Sequence, residues 1–179
     1  AASKALDAYI DDLAVMDIAG LSSRDAQFAA WANLYNALTV KVVTEKYPVK
    51  SIRDIRSGPF SPGPWKRKLI TVNGAKMSLD DIEHGVLRKQ WDDPRVHYAV
   101  NCASFGCPNL QPRAWRAETL DADLDAAARA FVNHPRGVMP ATDGRLRLSS
   151  IYNWFQEDFG GDEAGVLAHL ETYAEPALK

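Results

Sequence analysis

The sequence predicts a single helix-rich α/β (α+β) domain spanning residues 1–179, with a small, largely antiparallel sheet packed on a long central helix at about residues 24–47. Three observations lead there. Apolar residues recur at helical spacing from Phe28 to Val43 without a breaker before Tyr47-Pro48. Asn73-Gly74 sits between two short alternating runs, the strongest short-range signal for a hairpin. A length of 179 residues with 46% hydrophobic and 25% charged side chains suits one domain with a substantial core.

The elements follow in order. Residues 3–18 form an amphipathic helix with Leu6, Tyr9, Ile10, Leu13 and Met16 on one side. The 24–47 helix, capped by Ser22 or Ser23, gathers Phe28, Trp31, Ala32, Tyr35, Leu38 and Val42 on one face. So apolar a helix belongs at the centre, and Asn33 and Asn36 on its flanks must either tie down a loop or line a site. The Gly- and Pro-rich loop 51–66 can border a cleft, with Trp65 as its apolar anchor. Strands at 68–72 and 75–77 follow, and Ser78 then caps a helix from Leu79 to about Trp91. His97-Tyr98-Ala99-Val100 reads as a short strand leading inward. Helices are expected at 120–132, 151–159 and 162–173, with an edge strand at 145–148 beside 138–139.

The formal charge of −2 and a pI near 6.1 give no electrostatic case for nucleic acid. No apolar run reaches the ~18 residues of a membrane span, so no integral membrane segment is expected. No cofactor motif is present, and the partner expected is a small-molecule or peptide-like substrate.

The chemistry concentrates in Arg95-Val96-His97-Tyr98-Ala99-Val100-Asn101-Cys102-Ala103-Ser104-Phe105-Gly106-Cys107-Pro108, which holds both cysteines. Glu83 falls in the middle of the apolar face of its helix and needs a partner, for which Arg95, His97 and His84 are the candidates. Asp158 repeats that puzzle on the 151–159 helix. A thiol enzyme is one reading: Cys102 as nucleophile, His84 or His97 as base, Glu83 orienting the imidazole, and Asn101 or a backbone N–H of the 102–106 turn stabilising an oxyanion. On a straight strand His97 and Cys102 would point to opposite faces, which favours His84. A second reading closes Cys102 and Cys107 into a disulfide in a non-enzymatic exported domain. A third binds metal through His97, Cys102 and Cys107 with His84 or Glu83, at a spacing that matches no standard zinc pattern.

Four ordered motifs resemble the family called domain of unknown function 547: Trp31-Ala32-Asn33-Leu34-Tyr35-Asn36-Ala37-Leu38, Ser78 to His84, Arg95 to Ser104 with Cys107-Pro108, and the Trp154…Asp158-Phe159 end. The resemblance covers about Phe28 to Phe159. It implies one compact α/β-type domain, often exported in bacteria, and no established reaction. It also implies that Asn33, Asn36, Arg95, Asn101, Cys107 and Asp158 share a network with Cys102, His97, His84 and Glu83.

Overall fold

The computed structural model describes residues 2–58 and 60–178. Helix α1 (Ala2–Val15) packs on the long helix α2 (Arg24–Lys46), which starts where the Ser23 hydroxyl accepts the Ala26 N–H at 3.1 Å. From Phe28 to Leu38, α2 is buried on nearly every side, since even Ala30 and Ala37, opposite its aromatic face, are covered. Lys41 on α2 pairs with Asp7 of α1 at 2.5 Å and closes that contact at its polar margin.

Strands β1 (Ile70–Val72) and β2 (Ala75–Met77) form the expected hairpin, with Ile70 opposite Met77. Asn73 and Gly74 both adopt positive φ, 48° and 80°, as a type I′ turn requires. Strands β3 (Val138–Pro140) and β4 (Leu146–Leu148) form a second antiparallel hairpin. The two hairpins are separate two-stranded sheets.

Helix α3 is wound as a π-helix over Asp81–Leu87 and as an α-helix over Arg88–Trp91. Its start is a reciprocal cap: the Ser78 hydroxyl accepts the Asp81 N–H at 3.2 Å, and the Asp81 carboxylate accepts the Ser78 N–H at 2.6 Å. Wide turns of this kind recur at functional sites, and this one carries both Glu83 and His84.

The segment expected as a strand at 97–100 is instead a short helix, α4 (Val96–Ala99). Asp93-Pro94 explains the change. The Asp93 carboxylate accepts the Arg95 N–H at 2.8 Å, and proline is preorganised for the first helical position. The apolar run is buried whichever way it winds, so its hydrophobicity could not distinguish the two conformations.

Helix α5 (Leu120–Val132) follows its expected bounds. The 151–159 helix is an α-helical stretch, α6 (Ser150–Trp154), followed by a tighter turn over Gln156–Phe159 that ends at Gly160 in the left-handed region. Helix α7 (Glu163–Tyr173) crosses that turn where Gly160 and Gly165 touch backbone to backbone, with no room for a side chain at either. One hydrophobic cluster runs from Ile10 of α1 to Tyr173 of α7, and a small satellite of Val42, Ile52 and Ile55 sits beneath the 50–66 loop.

Candidate functional site

A cleft of about 820 Å³ opens between the 50–66 loop, the π-helical part of α3, the 102–107 loop and α6. Tyr35, Glu83, His84, His97, Cys102 and Cys107 all line it, so residues from three stretches of the sequence converge on one place.

His97 is its centre. The imidazole is 3% exposed and stacks on Phe155 at 4.2 Å and 16°. Its Nε2 lies 2.6 Å from Asp158 Oδ2, and its Nδ1 lies 3.9 Å from Glu83 Oε1. Arg88 grips the other side of Asp158 as a fork, Nε to Oδ2 at 2.6 Å and Nη2 to Oδ1 at 2.9 Å. Burial alone would raise the Asp158 pKa, but the hydrogen bonds from His97 and Arg88 outweigh it and hold the carboxyl well below the usual range. An ionised Asp158 accepts only, so Nε2 carries the proton in the neutral ring. The distance to Glu83 exceeds hydrogen-bond reach, which leaves the Nδ1 lone pair free among the described residues.

His84 takes an outer position, its Nδ1 accepting from Arg88 Nη1 at 3.3 Å. Tyr35 is fully buried, and its hydroxyl faces the Glu83 carboxylate without a close hydrogen bond among the described residues. Burial and then the neighbouring Glu83 carboxylate push its pKa well above the ordinary value.

Cys102 and Cys107 are joined in a disulfide, the pairing of the second reading. A bridged sulfur is not a thiolate, so the nucleophile role expected of Cys102 does not apply to this state. The metal reading fails as well: both thiols are spent, and among the described residues no group of three or more His, Cys, Asp or Glu has metal-binding proximity. The disulfide loop is held in shape from outside. Arg136 donates to the Phe105 and Cys107 carbonyls at 3.0 Å each, and the Ser149 hydroxyl donates to the Gly106 carbonyl at 2.7 Å. Ala103 takes a left-handed φ of 56°, braced by its N–H bond to Asn101 Oδ1 at 2.8 Å.

The asparagines tie elements together. Asn33 clamps Trp115, accepting its N–H at 2.9 Å and donating to its carbonyl at 3.0 Å. Asn36 donates to the Ala99 carbonyl and accepts the Asn101 N–H, both at 2.8 Å. Asn101 donates one Nδ2 hydrogen to the Pro108 carbonyl at 2.6 Å and accepts the Ala103 N–H at 2.8 Å, and so braces its own loop.

Arg95 does not reach Glu83. It turns outward to Asp93, Asp121 and Asp125, each at 2.8 Å, and so pins α4 to α5. Glu83 has His97 as its neighbour instead. Arg88, Arg136, Tyr35 and Ser149 were not singled out from the sequence. Only Arg88 left a signal, four residues after His84 on one helix.

The architecture is thus a helix-rich α+β domain with an enclosed imidazole between two carboxylates. The sequence model of the family described as "Protein of unknown function, DUF547" matches residues 18–132, and the chain belongs to that family. The match begins before Phe28 and ends before the Trp154…Asp158-Phe159 motif, so Asp158 is supplied from outside the matched stretch. No curated protein and no solved structure matches the chain. Among the described residues no helix is long and apolar enough to cross a membrane.

Proposed function

We propose that this domain is a hydrolase or acyl-transfer enzyme in which His97 is the general base. The observation that carries the reading is the line Arg88–Asp158–His97, in which a clamped carboxylate fixes one imidazole nitrogen and leaves the other free beside Glu83. In that role Nδ1 removes a proton from a water or alcohol as its oxygen adds to an acyl carbon. The imidazolium so formed lies between Asp158 and Glu83, which stabilise its charge, and the proton then passes to the leaving group.

Two narrower readings belong to the same cleft. With Cys102 as nucleophile, the chemistry requires a dithiol reductant to open the Cys102–Cys107 bridge first. As a non-enzymatic binding domain, the protein would use the bridge only as a brace. A disulfide is at home in an oxidising compartment, which supports export.

The test is release of nitrophenol from nitrophenyl acetate and butyrate, with a matched thioester and anilide, in the presence and absence of dithiothreitol. Saturable turnover that His97→Gln lowers by about 10²-fold or more supports the reading. Turnover without reductant assigns the nucleophile to water, and turnover only after reduction assigns it to Cys102. Release that is unsaturable, or equal in the His97→Gln variant, contradicts the enzyme reading and favours the binding domain.

A further inference from the structure

The cleft carries features that acid–base chemistry at His97 does not use. Lys50, Arg53 and Lys66 all line it from the 50–66 segment and are exposed. None of their side chains takes part in an ion pair among the described residues, where Lys41, Lys68, Arg88 and Arg95 all do. The lining carboxylates are Asp80 and Glu83, and Glu83 is buried at the His97 end. A chain of net charge −2 therefore gathers positive charge along one wall of this cleft. Low-dielectric walls focus such a field on whatever enters.

Three aromatic side chains line the same cleft while remaining in water. Phe60, Phe105 and Trp154 are 100%, 84% and 62% exposed. Large apolar rings left in solvent around a concavity mark a place where an apolar partner is received. Among the described residues the buried Trp65 Nε1–H, on a side chain that also lines the cleft, has no hydrogen-bond partner. An indole N–H only donates, so its missing partner is an acceptor.

We propose that the cleft binds an organic anion, with a carboxylate or phosphate held by Lys50, Arg53 and Lys66 and an apolar or aromatic body against Phe60, Phe105 and Trp154. The assignment rests on the His97 reading for what happens next: a ligand anchored at its charged end presents its inner part toward Glu83 and His97. A volume of about 820 Å³ suits a molecule of metabolite size.

The test is isothermal titration calorimetry of the intact protein with phenylbutyrate, phenylpropyl phosphate and the neutral phenylbutyramide. Both anions are expected to bind at least about tenfold more tightly than the amide at low salt, with the gap narrowing as ionic strength rises. The triple variant Lys50→Gln, Arg53→Gln, Lys66→Gln, whose changes are all at exposed positions, should bind anion and amide alike. Stronger binding of one anion than the other decides between carboxylate and phosphate. Equal affinity for anions and amide, no binding of any of the three, or a preference that survives in the triple variant would each overturn the assignment. No turnover enters this measurement, so its failure is separate from failure of the His97 chemistry, which the ester assay reads.

Discussion

At the scale of single residues, the arrangement turns on which atom of His97 is left free. Asp158 takes Nε2 and Arg88 fixes Asp158, so the imidazole cannot rotate without breaking charge-assisted hydrogen bonds. Asp158→Asn retains the shape but offers an amide that can either accept from or donate to Nε2, which frees the tautomer. Turnover in the ester assay is expected to fall by about 10²–10⁴-fold in that variant, with KM nearly unchanged. A fall confined to KM would mean that Asp158 only shapes the pocket. Sequence reasoning reached Glu83, His97 and Asp158 through one argument, that a carboxylate on an apolar helix face needs a partner. It could not say which groups paired, because Arg95, His97 and His84 are equally plausible partners for Glu83 until the path of the chain is known.

At the scale of elements, capping and burial set measurable stabilities. Ser78 and Asp81 close the start of α3, and Lys68 and Ser78 hold the Asp81 pKa at about 2. Ser78→Ala should cost about 1 kcal/mol in urea unfolding. The depressed pKa means that the unfolded chain binds its proton first. The stability Asp81 contributes is therefore complete above about pH 4 and lost as pH falls toward about 2. Asp81→Asn should flatten that part of the acid limb.

His169 on α7 acts in a neighbouring window. Its Nε2 shares a hydrogen bond with the Tyr98 hydroxyl of α4 at 2.8 Å. Burial, opposed by Asp93 and helped by the Arg95 guanidinium, lowers its pKa from 6.5 to about 4. Between those values the unfolded chain holds the extra proton, so stability rises with pH from about 4 to 6.5 and is level above. Unfolding measured from pH 4 to 7 should lose this slope in His169→Gln, and an unchanged slope would remove His169 from the account. Helix α2 was legible because its periodicity and its serine cap agree, and α5 through its apolar periodicity alone. The 97–100 segment differs from its expected strand because a buried run of one histidine and three apolar residues fits a strand or a helical turn equally well, and the deciding Asp93-Pro94 pair lies outside it.

At the scale of the whole molecule, α2 is the post on which the site is hung. Its Asn36 fixes the exit of α4, and its Asn33 fixes the segment at Trp115. The Cys102–Cys107 bridge then closes the 102–107 loop against the cleft. In the chain-entropy view a ring this small contributes about 2 kcal/mol. Reduction, or the double change Cys102→Ser, Cys107→Ser, is expected to lower Tm by roughly 4–8 °C. Mass spectrometry after alkylation should find both thiols labelled only when reductant is present. Rapid labelling of Cys102 in the untreated protein would instead restore it as a nucleophile. The cleft itself could not be read from the sequence beyond its Gly- and Pro-rich border. Its walls come from segments about a hundred residues apart, brought together by side chain–backbone bonds that leave no periodic trace.

The account stands most directly on the protonation of one ring. Long-range proton–nitrogen NMR correlations on uniformly ¹⁵N-labelled protein, followed to the alkaline end of the His97 titration, locate the proton of the neutral imidazole. The arrangement described here predicts a proton on Nε2, shared with Asp158, and a bare Nδ1 facing Glu83. A proton on Nδ1 would place the base the wrong way round, and His97 would then be a structural brace between two carboxylates.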